Sequence, residues 1–96
     1  MAEQHDRAAN KIAKRYDGAY DSTSSPDVKT PYRRIEVKST ASEIPTAVAQ
    51  LGRTQKLRYV ALPASEIPAA RKSVPSHVGL MNHNGDIVKR ARSKGH

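Results

Sequence analysis

Asp27, Glu36 and Lys38 are the residues of this chain whose types and spacing suit a reaction. Glu36 and Lys38 stand two apart in Ile35-Glu36-Val37-Lys38. On a strand, side chains alternate, so carboxylate and ammonium share one face while Ile35 and Val37 share the other. Pro26-Asp27 lies a hairpin's length upstream. With Pro31 and Tyr32 as the connecting loop, Asp27 falls opposite Glu36, and directly opposed Cβ atoms are about 5 Å apart. Two carboxylates that close repel unless something positive joins them; a divalent metal would, and so would Lys38. One sheet face is then core. The other presents Asp27, Glu36 and Lys38 in an arrangement suited to holding a metal beside a scissile phosphate. The register hangs on the turn, because proline cannot adopt the positive φ of the favoured two-residue hairpin loops, and a slip of one residue sends Asp27 to the opposite face.

The elements that must position these groups follow from periodicity. Residues 3–17 read as an amphipathic helix, with Ala9, Ile12, Ala13 and Tyr16 at helical spacing and Gly18 as its stop. Residues 19–23 form a first strand, and Ser24-Ser25-Pro26 is turn material. The hairpin takes 27–30 and 33–39. Ser42-Glu43-Ile44-Pro45 opens a second helix, with proline in its first turn where a missing N–H costs nothing, running to Leu51 before Gly52. Residues 57–62 are a strand apolar enough to be buried on both faces. The segment 64–70 repeats 41–47 almost letter for letter, which reads as the same cap chemistry used at two strand-to-helix junctions. A last hairpin joins 77–81 to 87–90 through Asn84-Gly85. The expected order is αβββαβαββ, a central mixed sheet flanked by helices in the α/β class.

The 96 residues make one domain, with residues 91–96 expected as a flexible basic tail. Apolar residues are 36% of the chain and include no Phe or Trp, so Ile, Val, Leu, Ala and a few Tyr must build the core. The absence of cysteine excludes a disulfide framework or a thiolate zinc site. No run is long and apolar enough for a membrane span or a signal peptide, so no membrane partner and a cytoplasmic location are expected. The 17 Lys and Arg against 9 Asp and Glu give a net charge of +8, which favours a polyanionic partner, nucleic acid above all.

Taken together, Ser-Ser-Pro-Asp-Val at 24–28, Ile-Glu-Val-Lys-Ser at 35–39, the helix before them and the helix and strand after resemble the PD-(D/E)XK nuclease superfamily, with its restriction-endonuclease-like core. Within it, the chain is most similar to archaeal-type Holliday junction resolvases and related small nucleases. The resemblance covers residues 3–62. It implies a magnesium-dependent DNA endonuclease, with manganese as a substitute, no small-molecule cofactor, branched or duplex DNA as substrate, and a symmetric homodimer.

By that resemblance Asp27 and Glu36 ligate the metal with the carbonyl of Val37, and Lys38 positions or helps deprotonate the attacking water and offsets transition-state charge. The plain reading of Lys38 is a surface lysine paired with Glu36. A further ligand on the first helix falls to His5 or Asp6, either of which is otherwise a solvated residue near a helix N-terminus. Gln50, on one stripe with Thr46 and Arg53, is the second helix's contribution to the site, or simply an exposed residue. Ser24, Ser25, Arg33, Arg34, Arg53 and Lys56 are candidates for phosphate contacts. His77, His83 and His96 are too scattered to suggest a metal site. Two other classes compete: a non-catalytic nucleic-acid-binding module on the same fold, and a small basic ribosomal or architectural protein.

Overall fold

Ala8, Ala9, Ile12 and Ala13 recur at the helical period. In the computed structural model, which describes residues 2–23 and 26–92, they line the buried side of α1 (Ala2–Arg15). The helix ends differently from expectation. Asp17, not Gly18, takes the left-handed conformation, at φ 57°. Gly18 is required for another reason: a Cβ there would lie 2.5 Å from the carbonyl oxygen of Lys29.

Beyond α1 the chain forms one six-stranded sheet in sequential order. Strands β1 (Ala19–Tyr20), β2 (Val28–Lys29) and β3 (Arg33–Val37) make an antiparallel meander. β3, β4 (Leu57–Leu62) and β5 (Val78–Asn82) run parallel, and β6 (Ile87–Lys89) returns antiparallel. The parallel crossovers are α2 (Ile44–Leu51) and α3 (Ile67–Ser73). Both step the same way across the sheet, and crossovers share one handedness, so both helices land on one face. The result is an α/β fold with a mixed sheet between α1 and the α2–α3 pair.

Each face has its own core. Val28, Ile35, Val37, Tyr59, Ala61 and Met81 pack with α1, while Val60, Leu62, Val78 and Leu80 pack with Ile44, Ala47, Leu51, Ile67 and Ala70 of α2 and α3. This corrects the picture of one apolar and one chemical face. Glu36 belongs to a strand covered on both sides, and is only 1% exposed.

The hairpin takes the expected register, Val28 opposite Ile35 and Lys29 opposite Arg34, although β2 is shorter than expected and Asp27 lies just before it. Thr30 makes the proline turn workable. Its buried hydroxyl accepts the N–H of Arg33 at 2.9 Å, and its own N–H reaches the carbonyl of Arg33 at 3.0 Å. A side-chain oxygen stands in for the main-chain turn geometry that proline denies.

The repeated segments both become a 3₁₀ turn, Ala41–Glu43 or Ala64–Glu66, leading into a helix with proline in its first turn. Their caps differ. Glu43 accepts the N–H groups of Ser39 and Thr40 at 3.1 and 3.0 Å. At the second copy Thr40 is replaced by Pro63, which has no N–H to offer. Glu66 instead crosses to the N–H of Ala41 at 2.8 Å, clamping the two junctions together.

Candidate active site

The C-terminal end of β3 gathers the reactive groups. Continuing the β2–β3 register past Val28 and Ile35 brings Asp27 opposite Glu36. Glu36 Oε1 accepts the N–H of Asp27 at 2.8 Å, and Asp27 Oδ2 accepts the N–H of Val37 at 3.0 Å. Glu36 therefore holds the backbone of Asp27, Asp27 holds that of Val37, and the two acids sit side by side. Lys38 Nζ lies 3.7 Å from Glu36 Oε2, with the lysine side chain 15% exposed. Burial, and next the neighbouring charge of Asp27, push the Glu36 carboxyl up to about 7.

Two prolines shape the backbone around these side chains. Extending the β2–β3 register one pair beyond Asp27 and Glu36 sets Pro26 against Val37, but the ladder stops there: the Val37 N–H is taken by Asp27 Oδ2 at 3.0 Å, and Pro26 has no N–H for the Val37 carbonyl. On the other edge, Lys38 N–H donates to the carbonyl of Ala61 at 2.9 Å. The next donor in that parallel ladder, to the carbonyl of Lys38, would come from residue 63, which is Pro63. His83 supplies the missing donor: its Nε2 lies 2.9 Å from the Lys38 carbonyl. A carbonyl only accepts, so Nε2 carries the proton.

Of the first-helix alternatives, His5 is the one that reaches the acids. Its Nε2 is 3.1 Å from Asp27 Oδ2, while Nδ1 lies 3.5 Å from Asp6 Oδ1 and 3.5 Å from the Tyr20 hydroxyl. Asp6 is turned to the outside, where it accepts the Tyr20 hydroxyl proton. That bond lowers Asp6 and raises the Tyr20 phenol to about 12.

Gln50 is misplaced by the sequence reading. α2 begins at the site end of β3 and runs back against the strands, so its last turn stands about 9 Å further along the axis. Gly52, just beyond it, accepts Arg58 Nη1 at 3.0 Å at the start of β4. Gln50 therefore belongs to the opposite end of the sheet, and its Oε1 is buried without a partner among the described residues. Arg33 and Arg34 are at that end too, and both work inward. Arg33 lies over the rings of Tyr16 and Tyr59, 4.6 and 5.8 Å from their centroids. Arg34 donates to the carbonyls of Thr30 and Arg33. Arg53 and Lys56 are exposed on the loop between α2 and β4. Ser24, Ser25 and 93–96 lie outside the described residues, whereas Ala91, expected to begin a flexible tail, is fastened to the Tyr59 hydroxyl at 3.2 Å.

Sequence reasoning passed over His83 and Tyr20. The signal for His83 was Pro63, which leaves a carbonyl needing a donor. Among the described residues no three His, Cys, Asp or Glu side chains gather as a metal site. What the described residues do bring together is two carboxylates, Asp27 and Glu36, hard oxygen groups of the kind magnesium takes. No helix among the described residues is long and apolar enough to cross a membrane. No protein-family profile, curated protein or solved structure matches the chain.

Proposed function

We propose that the protein is a magnesium-dependent DNA endonuclease with a restriction-endonuclease-like core, its site formed by Asp27, Glu36, Val37 and Lys38. The observation that carries this reading is the pair of adjacent carboxylates, one of them fully buried with its acidity weakened. A buried acid pair of this kind is costly alone and is relieved by a cation. Asp27, Glu36 and the Val37 carbonyl would hold magnesium, with manganese as a substitute. The metal would supply charge stabilisation at the scissile phosphate.

The chain's own contribution is orientation. Glu36 is locked by the N–H of Asp27 and Asp27 by the N–H of Val37, which leaves Asp27 Oδ1 and the Lys38-paired Glu36 Oε2 oriented to accept a ligand. Lys38, restrained by Glu36, offers its ammonium to charge developing on the phosphate oxygens and to the attacking water. His5 holds Asp27 from the α1 side. Paired nicks across a junction would require two such sites related by a two-fold axis.

The deciding experiment is a cleavage panel of branched, duplex and single-stranded DNA with and without magnesium. Wild type should cleave only with the metal, and Asp27→Ala and Glu36→Ala should fold and bind DNA without cutting. Absence of cleavage on every substrate, with magnesium and with manganese, would overturn the reading in favour of a non-catalytic nucleic-acid-binding module. That second reading draws on one observation, the cluster of basic residues at the end of the sheet away from the acids.

A further inference from the structure

Acidic side chains in this fold are segregated along the strands. Glu36, Asp27, Asp21, Glu43, Glu66 and Asp86 all sit at the C-terminal end of the parallel strands or in the segments beside it. Among the described acidic side chains only Asp17 lies at the other end. There the hairpin turn and the loop between α2 and β4 bring Lys29, Arg34, Arg53, Lys56 and Arg58 together.

Tyr32 stands in the middle of that end. It is 72% exposed, the one large hydrophobic side chain so exposed among the described residues. Its backbone is pinned on both sides, its carbonyl accepting the N–H of Leu57 at 3.0 Å and its N–H pointing to Thr30 Oγ1 at 3.4 Å. Beside the ring is an open groove of about 410 Å³ bounded by Gln55, Lys56 and Leu57. The nearby basic side chains divide the work. Arg34 and Arg58 are tied to carbonyls of the frame, while Lys56 and Arg53 are exposed and make no salt bridge among the described residues.

We propose that this end is a docking site for an unpaired nucleic-acid strand, with a base stacked on Tyr32 and flanking phosphates on Lys56 and Arg53. An exposed aromatic face on a hydrogen-bonded backbone, beside free cations, suits sequence-tolerant single-strand binding, because every base has a stacking face and every nucleotide a phosphate. Burying the ring in a protein partner would leave the surrounding cations without counter-charge, so a polyanion fits better. The site is separate from Asp27 and Glu36. Tyr32 and Glu36 are four positions apart along the extended chain, about 13 Å.

The test is fluorescence anisotropy with a labelled short oligothymidylate in EDTA, where no metal-dependent cleavage can intervene, so the result stands apart from the proposed hydrolysis. Tyr32→Ala should weaken binding about 5- to 150-fold, and Tyr32→Phe should restore it. Replacing Lys56 and Arg53 by Gln should flatten the salt dependence by about 1.4 in log–log slope, at roughly 0.7 per phosphate contact. An abasic oligomer should lose affinity for wild type and not for Tyr32→Ala. The proposal is overturned if Tyr32→Ala binds as wild type does, or if duplex DNA shows the same loss on that substitution. Circular dichroism of each variant separates lost binding from lost folding.

Discussion

Glu36 is a carboxyl group whose folded state prefers the proton. Its pKa rises from an ordinary carboxylate value to about 7, so without metal the folded protein binds more protons than the unfolded chain between these limits. Stability therefore falls as pH rises from about 4.5 to about 7 and is level above, a loss on the order of 3 kcal/mol. Urea melts in EDTA should show that slope. Glu36→Gln should remove it and be the more stable protein at pH 8. Magnesium should raise the wild-type melting temperature at pH 8 and leave Glu36→Gln unmoved. The pairing of Asp27 with Glu36 was legible from residue spacing because hairpin register is a local quantity. The contacts of His5 and His83 were not, because each joins elements far apart in sequence, and only the assembled sheet brings them to β3.

At the level of elements, β3 is held at its end by side chains where a ladder would normally run. Restoring a backbone donor at position 26 tests this: Pro26→Ala offers an N–H opposite Val37 and should weaken magnesium binding, seen as a smaller melting-temperature gain on adding the metal, with little loss of apo stability. His83→Ala leaves the Lys38 carbonyl without its donor and should cost about 1–3 kcal/mol in a chemical melt. Packing gives a further check, since a Cβ on Gly79 would lie 2.3 Å from the Tyr59 ring and 2.6 Å from the Ala91 nitrogen. Gly79→Ala should destabilise by about 1–3 kcal/mol. The helices and the long strand at Leu57–Leu62 were readable because their apolar periods are strong. Gln50 was misassigned because a helix stripe indicates a face but says nothing about how far along the sheet it stands. The shared cap chemistry failed at a single letter, Pro63 in place of Thr40.

For the molecule as a whole, a net charge of +8 was plain from composition, but its distribution was not, since basic residues fall in nearly every segment and only the folded sheet sorts them. DNA binding should weaken steeply with salt, and a flat response between 50 and 200 mM would argue against phosphate contacts. The sorting has a dynamic consequence. Opposite charges at the two ends of the strands give the protein a permanent electric dipole along the strand axis, and a polyanion exerts a torque on it from about a Debye length, 8–10 Å, before any atoms touch. A polyanion bound as proposed would therefore meet the molecule hairpin-first. Neutralising Lys56 and Arg53 should slow association at low salt by spoiling that alignment, with the effect vanishing as added ions screen the field.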